Sequence, residues 1–435
     1  MQNNNTKSFK FSKKIKINFD GGELSSDAGM LLIHEFCCKL GIEELLLEHL
    51  SEPRDNLTHR KHQIVYQKLM RIIAGYTSNN HVVFLKNDPV FQQIHTGCIA
   101  SASSCCRREK EFTFADVKAL QEIQKILQVE AYEIAGMPEE VNLDFDTTYD
   151  PASANLHGSK YNTHYGVTGF NPLVCFDGRT GDFIKGNLRP GNNYCSKKIV
   201  QFAEPIFKKY KKLGIKIKTR SDSGFACPEF YEMCERRSAT YYIKLKSNAR
   251  LGKQIEAEVL TADIMKNRKD TYGEIRYGAK SWGKERRVLI RIQWHQEQLF
   301  PIYTAIVTND EVCTPTEGFK FYNGRATIEN SIEEGKNGFN WDHLSNESFE
   351  SNSVNFQIHL LAFQVIQLFR RICLPIAQEK STIHKIRLML IKIATKVIKG
   401  GRNIIIKCAS CCPFQDLFMT VLEYIQQIHK YKHSP

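Results

Sequence analysis

Tyr322, Arg325, Glu329 and Lys336 follow one another at steps of three, four and seven residues in the segment YNGRATIENSIEEGK. At about 100° per residue the four fall within an arc of roughly 60°, so the spacing predicts one stripe of one helix. Gly324 weakens its first turn, which leaves Tyr322 in the lead-in. A solvated face laced with ion pairs would carry such a stripe, and the neighbouring Glu333 and Glu334 suit that reading. Chemistry needs further acids, and two stand out: Asp146 in VNLDFDTTYD and Asp222 at the end of IKIKTRSD. Three converging carboxylates without Cys or His would hold hard, oxygen-loving cations, Mg²⁺ before Mn²⁺. Two such ions ~4 Å apart activate water on one side of a phosphodiester and stabilise the leaving oxygen on the other. Arg325 and Lys336, on the same stripe as Glu329, would then hold the phosphates of the bound strand.

That chemistry requires particular elements. Val141, Leu143 and Phe145 alternate with Asn142, Asp144 and Asp146, the pattern of a strand with one polar face. Residues 164–177 form a second strand region, GRTG at 178–181 a tight turn and 182–188 a third strand. An amphipathic helix spans 195–214, a fourth strand 215–222 ends on Asp222, a short helix starts at Pro228, and a fifth strand covers 240–245. This order is that of an α/β, ribonuclease-H-like fold, a mixed sheet with helices on its faces. Residues 136–246 and 319–350 make the expected catalytic core. A β-rich insertion, 247–318, precedes the last catalytic helix. Residues 1–135, with a strand at 14–19, form a mainly helical DNA-binding region, and 351–435 a basic helical region with a strand at 403–408. The helix at 58–76 has a basic start and either lies on a DNA backbone or is packed with a wet face.

Bulk properties agree with such a partner. The 435 residues are 42% hydrophobic and 25% charged, and 60 Lys and Arg against 47 Asp and Glu leave a net charge of +13. Such an excess points first to nucleic acid and second to an anionic membrane surface. Apolar windows such as HLLAFQVIQLF at 359–369 are too short to span a bilayer. The basic stretch near the start has no apolar run behind it, so no export signal is expected, the 14 cysteines are expected as reduced thiols, and the location is expected to be cytoplasmic. Neither a Walker loop nor a dinucleotide fingerprint occurs. Cys408, Cys411, His429 and His433 have a zinc-like pattern, but their central gap holds an apolar helix and argues against a site.

These residues carry a resemblance. The chain resembles the DDE transposases of bacterial insertion sequences, in the branch whose signature is Tyr, two residues, Arg, three, Glu, six, Lys. FDGGELSSDAGMLL (19–32), NDPVF (87–91), LDFDTTYDP (143–151) and LRPGNN (188–193) are similar to the insertion-sequence family numbered thirteen-eighty. The likeness runs from about residue 17 to 407. It implies Asp146, Asp222 and Glu329 as metal-binding catalytic carboxylates, with Tyr322, Arg325 and Lys336 as contacts to the end DNA. It also implies that 3′-hydroxyls at the element's ends attack target DNA, and that a homodimer acts on double-stranded DNA. In some related enzymes an aromatic of the insertion stacks on a flipped base; Trp282 and Trp294 are candidates here, with plain packing as the alternative.

Each role has rivals. Asp144 shares the strand face of Asp146, but Thr147 and Thr148 follow Asp146 as in the family's Asp-x-Thr pattern. Glu333 lies one turn beyond Glu329, yet the signature spacing selects Glu329. Asp150 reads as a turn residue before Pro151, His164 as a structural hydrogen-bonding group, and Asp177 and Asp182 as flanks of a turn.

Overall fold

The structure, a computed structural model, describes residues 6–52, 54, 56–294, 298 and 300–429. The chain divides into two compact units, Phe112–Gln367 and the combination of Met1–Glu111 with Leu368–Pro435.

The Phe112–Gln367 unit is built on an eight-stranded sheet. Its strands are β1 (Glu140–Thr147), β2 (Leu173–Asp177), β3 (Phe183–Asn187), β4 (Lys216–Ser221), β5 (Thr240–Lys244), β6 (Thr271–Tyr277), β7 (Arg286–Gln293) and β8 (Ile302–Thr308). The spatial order is β6-β7-β8-β5-β4-β1-β2-β3. The first three strands form an antiparallel meander, and β4 and β5 run parallel to β1. The meander, the fourth and fifth strands and their connecting helices therefore lie where the sequence puts them. The second strand region splits: Val167–Phe170 turns away into a small separate sheet with Asp150–Pro151 and Lys160–Asn162, and only Leu173–Asp177 joins β1. Pro172 sits at the break and donates no hydrogen bond.

Residues 247–318 contribute two short helices, Ala249–Glu258 and Ala262–Asn267, and three strands. Those strands do not form a sheet of their own; β8 pairs antiparallel with β5 and extends the central sheet.

Alternation on β1 explains its packing. Val141, Leu143 and Phe145 are fully buried, and the Phe145 ring meets Phe202, Phe207 and Phe230 at 5.5–6.4 Å. Phe202 and Phe207 come from α2 (Ile199–Lys212), whose Ile199, Phe202, Ala203, Ile206, Phe207 and Tyr210 recur at helical spacing. Phe230 belongs to α3 (Pro228–Arg236), which starts on Pro228 as expected. The polar face of β1 is covered too: Asn142 is 8% and Asp144 0% exposed. The unit also holds the helix Phe114–Ala135, α4 (Pro315–Asn323), α5 (Thr327–Phe339) and α6 (Phe349–Cys373), the last containing the boundary between the two units.

The second unit is mainly helical, with a three-stranded sheet of Leu24–Ser25, Thr395–Lys399 and Ile404–Cys408. The helix expected over 58–76 spans Lys61–Ala74 and is buried nearly all round. Lys68 is paired with Glu109 at 2.9 Å and Arg71 binds the Tyr76 carbonyl at 2.8 Å, so packing rather than a DNA backbone takes its basic residues. The strand expected at 14–19 is reduced to Lys16–Ile17. His433, the last member of the zinc-like pattern, lies outside the described residues. Among the described residues no helix is long and apolar enough to cross a membrane.

Candidate active site

Asp146 and Asp222 are brought together by strand register. Strands β1 and β4 are parallel neighbours, with Ser221 opposite Phe145. Asp222, the next residue, therefore leaves β4 at the level where Asp146 stands on β1. Asp222 caps a short 3₁₀ turn, Ser223–Phe225, its Oδ1 accepting the Gly224 N–H at 3.0 Å. Asp146 Oδ1 accepts the Thr147 N–H at 2.8 Å. Cys195 touches the neighbours of both: its Sγ is 3.3 Å from Thr147 Oγ1, and a Cβ on Gly224 would come within 2.9 Å of that sulfur.

The signature segment arrives from the far side of the insertion. It does not form the single helix that its spacing predicts. Tyr322 lies in the last turn of α4, Arg325 in a 3₁₀ turn, Gly324–Ala326, and Glu329 and Lys336 belong to α5. The cause is local. The Phe321 carbonyl accepts both the Gly324 N–H and Arg220 Nη1, the latter at 2.7 Å, which tightens the chain at Gly324.

From that turn Arg325 Nη2 reaches Asp146 Oδ2 at 2.7 Å, an ion pair with both side chains largely out of water, 13% and 14% exposed. Burial pushes the Asp146 carboxyl up to about 6; Arg325 pulls it down, and the negative charges of Asp222 and Glu329 push it up again. Both other acids named from the sequence thus bear on the charge of Asp146. Burial lowers the Arg325 guanidinium, but the charges of Asp146, Tyr322 and Asp222 outweigh this and hold it above its usual value. Tyr322 is raised by burial to about 12, and its ring packs against the cluster of Tyr242, Leu289, Ile306 and Phe319. Glu329 is exposed in the first turn of α5. Lys336, two turns on, donates to the Tyr149 carbonyl just past β1. Among the described residues, no three His, Cys, Asp or Glu side chains gather closely enough to hold a metal ion as they stand.

Rival carboxylates are engaged elsewhere. Asp144 is locked to Arg220 through both oxygens. Asp177 accepts the N–H groups of Asn142 and Arg179 at 3.2 and 3.0 Å, a turn role as expected. Asp150 is not a turn residue: it pairs with Phe170 in the small sheet and is 0% exposed, and neither carboxylate oxygen has a hydrogen-bond partner. Burial pushes its carboxyl well above the usual range, with Lys336 opposing. Trp282 stands edge-on to Tyr231 and Tyr277 at 5.3 and 5.6 Å, and Trp294 packs against the same core. Sequence reasoning did not single out Arg220, which links Asp144 to the signature segment; only the β1/β4 register reveals that contact.

No curated protein matches the chain. A cryo-EM structure of a piggyBac transposase synaptic complex with hairpin DNA aligns over 84% of this chain and 80% of its own, at 11% identity and a TM-score of 0.41. The family model for the transposase DDE domain, group 1, matches residues 7–430. The match runs over nearly the whole length: the chain belongs to the DDE transposase family.

Proposed function

We propose that this chain is the transposase of a bacterial insertion sequence, cutting the element's ends and joining their 3′-hydroxyls to target DNA. Asp146, Asp222 and Glu329 are its catalytic carboxylates, on a ribonuclease-H-like core. One observation carries the assignment: the β1/β4 register sets Asp222 beside Asp146, and Arg325 of the signature reaches the same carboxylate. The strand order, with the meander on one side and the two parallel strands on the other, supports the ribonuclease-H-like reading.

The donor set fits a divalent cation. It is carboxylate oxygen throughout, and Asp146 already attracts a cation in the form of Arg325. Mg²⁺ or Mn²⁺, two ions in the full site, would supply an activated nucleophile and a stabilised leaving oxygen when bound. The protein's own groups do the positioning. Thr147 and Gly224 N–H groups fix one oxygen each of Asp146 and Asp222. The Arg325 guanidinium, a planar fork, grips a phosphate of the end DNA. Lys336, tethered at the Tyr149 carbonyl, offers a second charge along the same strand, and the Tyr322 ring lines its path. Residues 1–135 and the basic 351–435 segment contribute the remaining grip on double-stranded DNA. Two copies act together on paired element ends, in the bacterial cytoplasm.

Incubation with labelled element ends, Mg²⁺ and a target plasmid tests this. Joined products are expected. Cut ends without joining would mean a nuclease of the same fold, and a shifted but uncut band a DNA-binding protein that has lost catalysis.

A further inference from the structure

Arg220 and Arg325 serve one site and are held in opposite ways. Arg220 is saturated: Nε and Nη2 grip Asp144 at 2.7 Å each, and Nη1 holds the Phe321 carbonyl at 2.7 Å. The Arg325 guanidinium has a single hydrogen bond among the described residues, Nη2 to Asp146 Oδ2. Its Nε is buried without a partner. A guanidinium carries five donors, and a buried N–H left unmade is costly, so Arg325 is held in an arrangement that a phosphate would complete.

Its present partner is itself the group on which the proposed chemistry depends. Both oxygens of Asp146 are taken, Oδ1 by the Thr147 N–H and Oδ2 by Arg325. A guanidinium and a divalent ion cannot share that oxygen without strong repulsion in a site so poor in water. Among the described residues, no three such side chains gather around a common point.

We infer that Arg325 is a gate: in the chain without DNA its guanidinium stands on Asp146 in place of a divalent cation, and a DNA phosphate draws it off. Cation loading and DNA binding are then coupled through one side chain. The coupling is reciprocal, so a bound cation tightens DNA by the factor by which DNA tightens the cation. The enzyme is thereby kept from assembling its metal site away from DNA. This rests on the reading of Asp146 as a metal ligand.

Mn²⁺ titration followed by electron paramagnetic resonance, on the full chain with and without a short generic DNA duplex, tests the gate. Without DNA, Arg325→Gln is expected to bind Mn²⁺ about tenfold more tightly than wild type, within the usual range of such couplings. The duplex should tighten Mn²⁺ on wild type by a similar factor and leave Arg325→Gln unchanged. Equal Mn²⁺ affinity of wild type and Arg325→Gln without DNA overturns the gate. Equal binding by wild type, Arg325→Gln and Asp146→Asn removes Asp146 from the metal site, a distinct failure that overturns the functional reading beneath it. A second measurement needs no Arg325 variant: Mn²⁺ should raise the duplex affinity of wild type, by fluorescence anisotropy, more than that of Asp146→Asn. Equal rises overturn the gate.

Discussion

Arg220 holds Asp144 by both carboxylate oxygens, with the arginine side chain 3% and the aspartate 0% exposed. The two stand opposite each other in the β1/β4 register, Asp144 two residues before Asp146 on β1. Space for the pair is kept by glycine. A Cβ on Gly178 would lie 2.1 Å from both Arg220 Nη2 and Asp144 Oδ2, and one on Gly324 would lie 2.5 Å from Arg220 Nη1. Since Nη1 also binds the Phe321 carbonyl, the pair is a strut between the sheet and the signature segment.

Breaking that strut should cost stability. Removing one member of a buried ion pair leaves the other unpaired out of water, at ~3–5 kcal/mol. Asp144→Asn is therefore expected to lower the urea midpoint strongly. Asp146→Asn should lower it less, because its pair with Arg325 keeps some contact with water, 13% and 14% exposed against 3% and 0%. Equal losses would show that the two acids are not divided into a structural and a chemical one.

For Asp222 the expected loss is chemical. Its hydrogen bond from the Gly224 N–H survives in Asp222→Asn, because an amide oxygen accepts as a carboxylate does. The turn should stay, while strand cleavage and joining fall by at least ~10³-fold, equivalent to about 4 kcal/mol of barrier. Band-shift affinity for element ends should be retained. Cleavage persisting in this variant would remove Asp222 from the catalytic set.

A pH effect is expected from Glu130, on the helix Phe114–Ala135. It is 2% exposed, neither oxygen has a hydrogen-bond partner, and burial, aided by Glu133, raises it from 4.5 to about 8. The folded chain thus keeps a proton that the unfolded chain has released. The contribution of this group to stability is complete below the unfolded value of 4.5 and is lost as pH rises through about 8. Urea midpoints measured across that interval should fall less steeply for Glu130→Gln than for wild type, and the variant should be the more stable protein at the alkaline end. Parallel curves would mean that Glu130 does not hold its proton.

What the sequence made legible was local. Period-two alternation gave β1, and helical recurrence gave α2. The signature spacing singled out Arg325, which does meet Asp146. Contacts across strands were hidden, because nothing in KTRSD says which residue of VNLDFD stands opposite Arg220. The straight stripe of four signature residues failed for a related reason: the bond from Arg220 to the Phe321 carbonyl tightens the helix at Gly324. Asp150 was misread because Pro151 suggests a turn, whereas the backbone there pairs as a strand. The β-rich composition of 247–318 was visible, but the pairing of β8 with β5, which extends the central sheet, was not.

The seating of α5 offers the last test. Gly335 lies inside that helix, where alanine would ordinarily gain about 1 kcal/mol from helix propensity. Here a Cβ would stand 2.4–2.6 Å from three atoms of the Trp341 ring. That ring is fully buried and hemmed in by Phe176, Phe356 and Phe363 at 5.6–6.5 Å, so it has nowhere to go. Overpacking of this kind costs ~1–3 kcal/mol and exceeds the gain in propensity. Gly335→Ala should therefore destabilise the chain by up to about 2 kcal/mol in urea titration. Because Glu329 and Lys336 ride on the same helix, the joining rate should fall further than the affinity for end DNA. Trp341→Phe shortens the ring at the atoms that clash, so adding it to Gly335→Ala should restore part of the lost rate. If Gly335→Ala is instead as stable and as active as wild type, α5 is not held in place by Trp341.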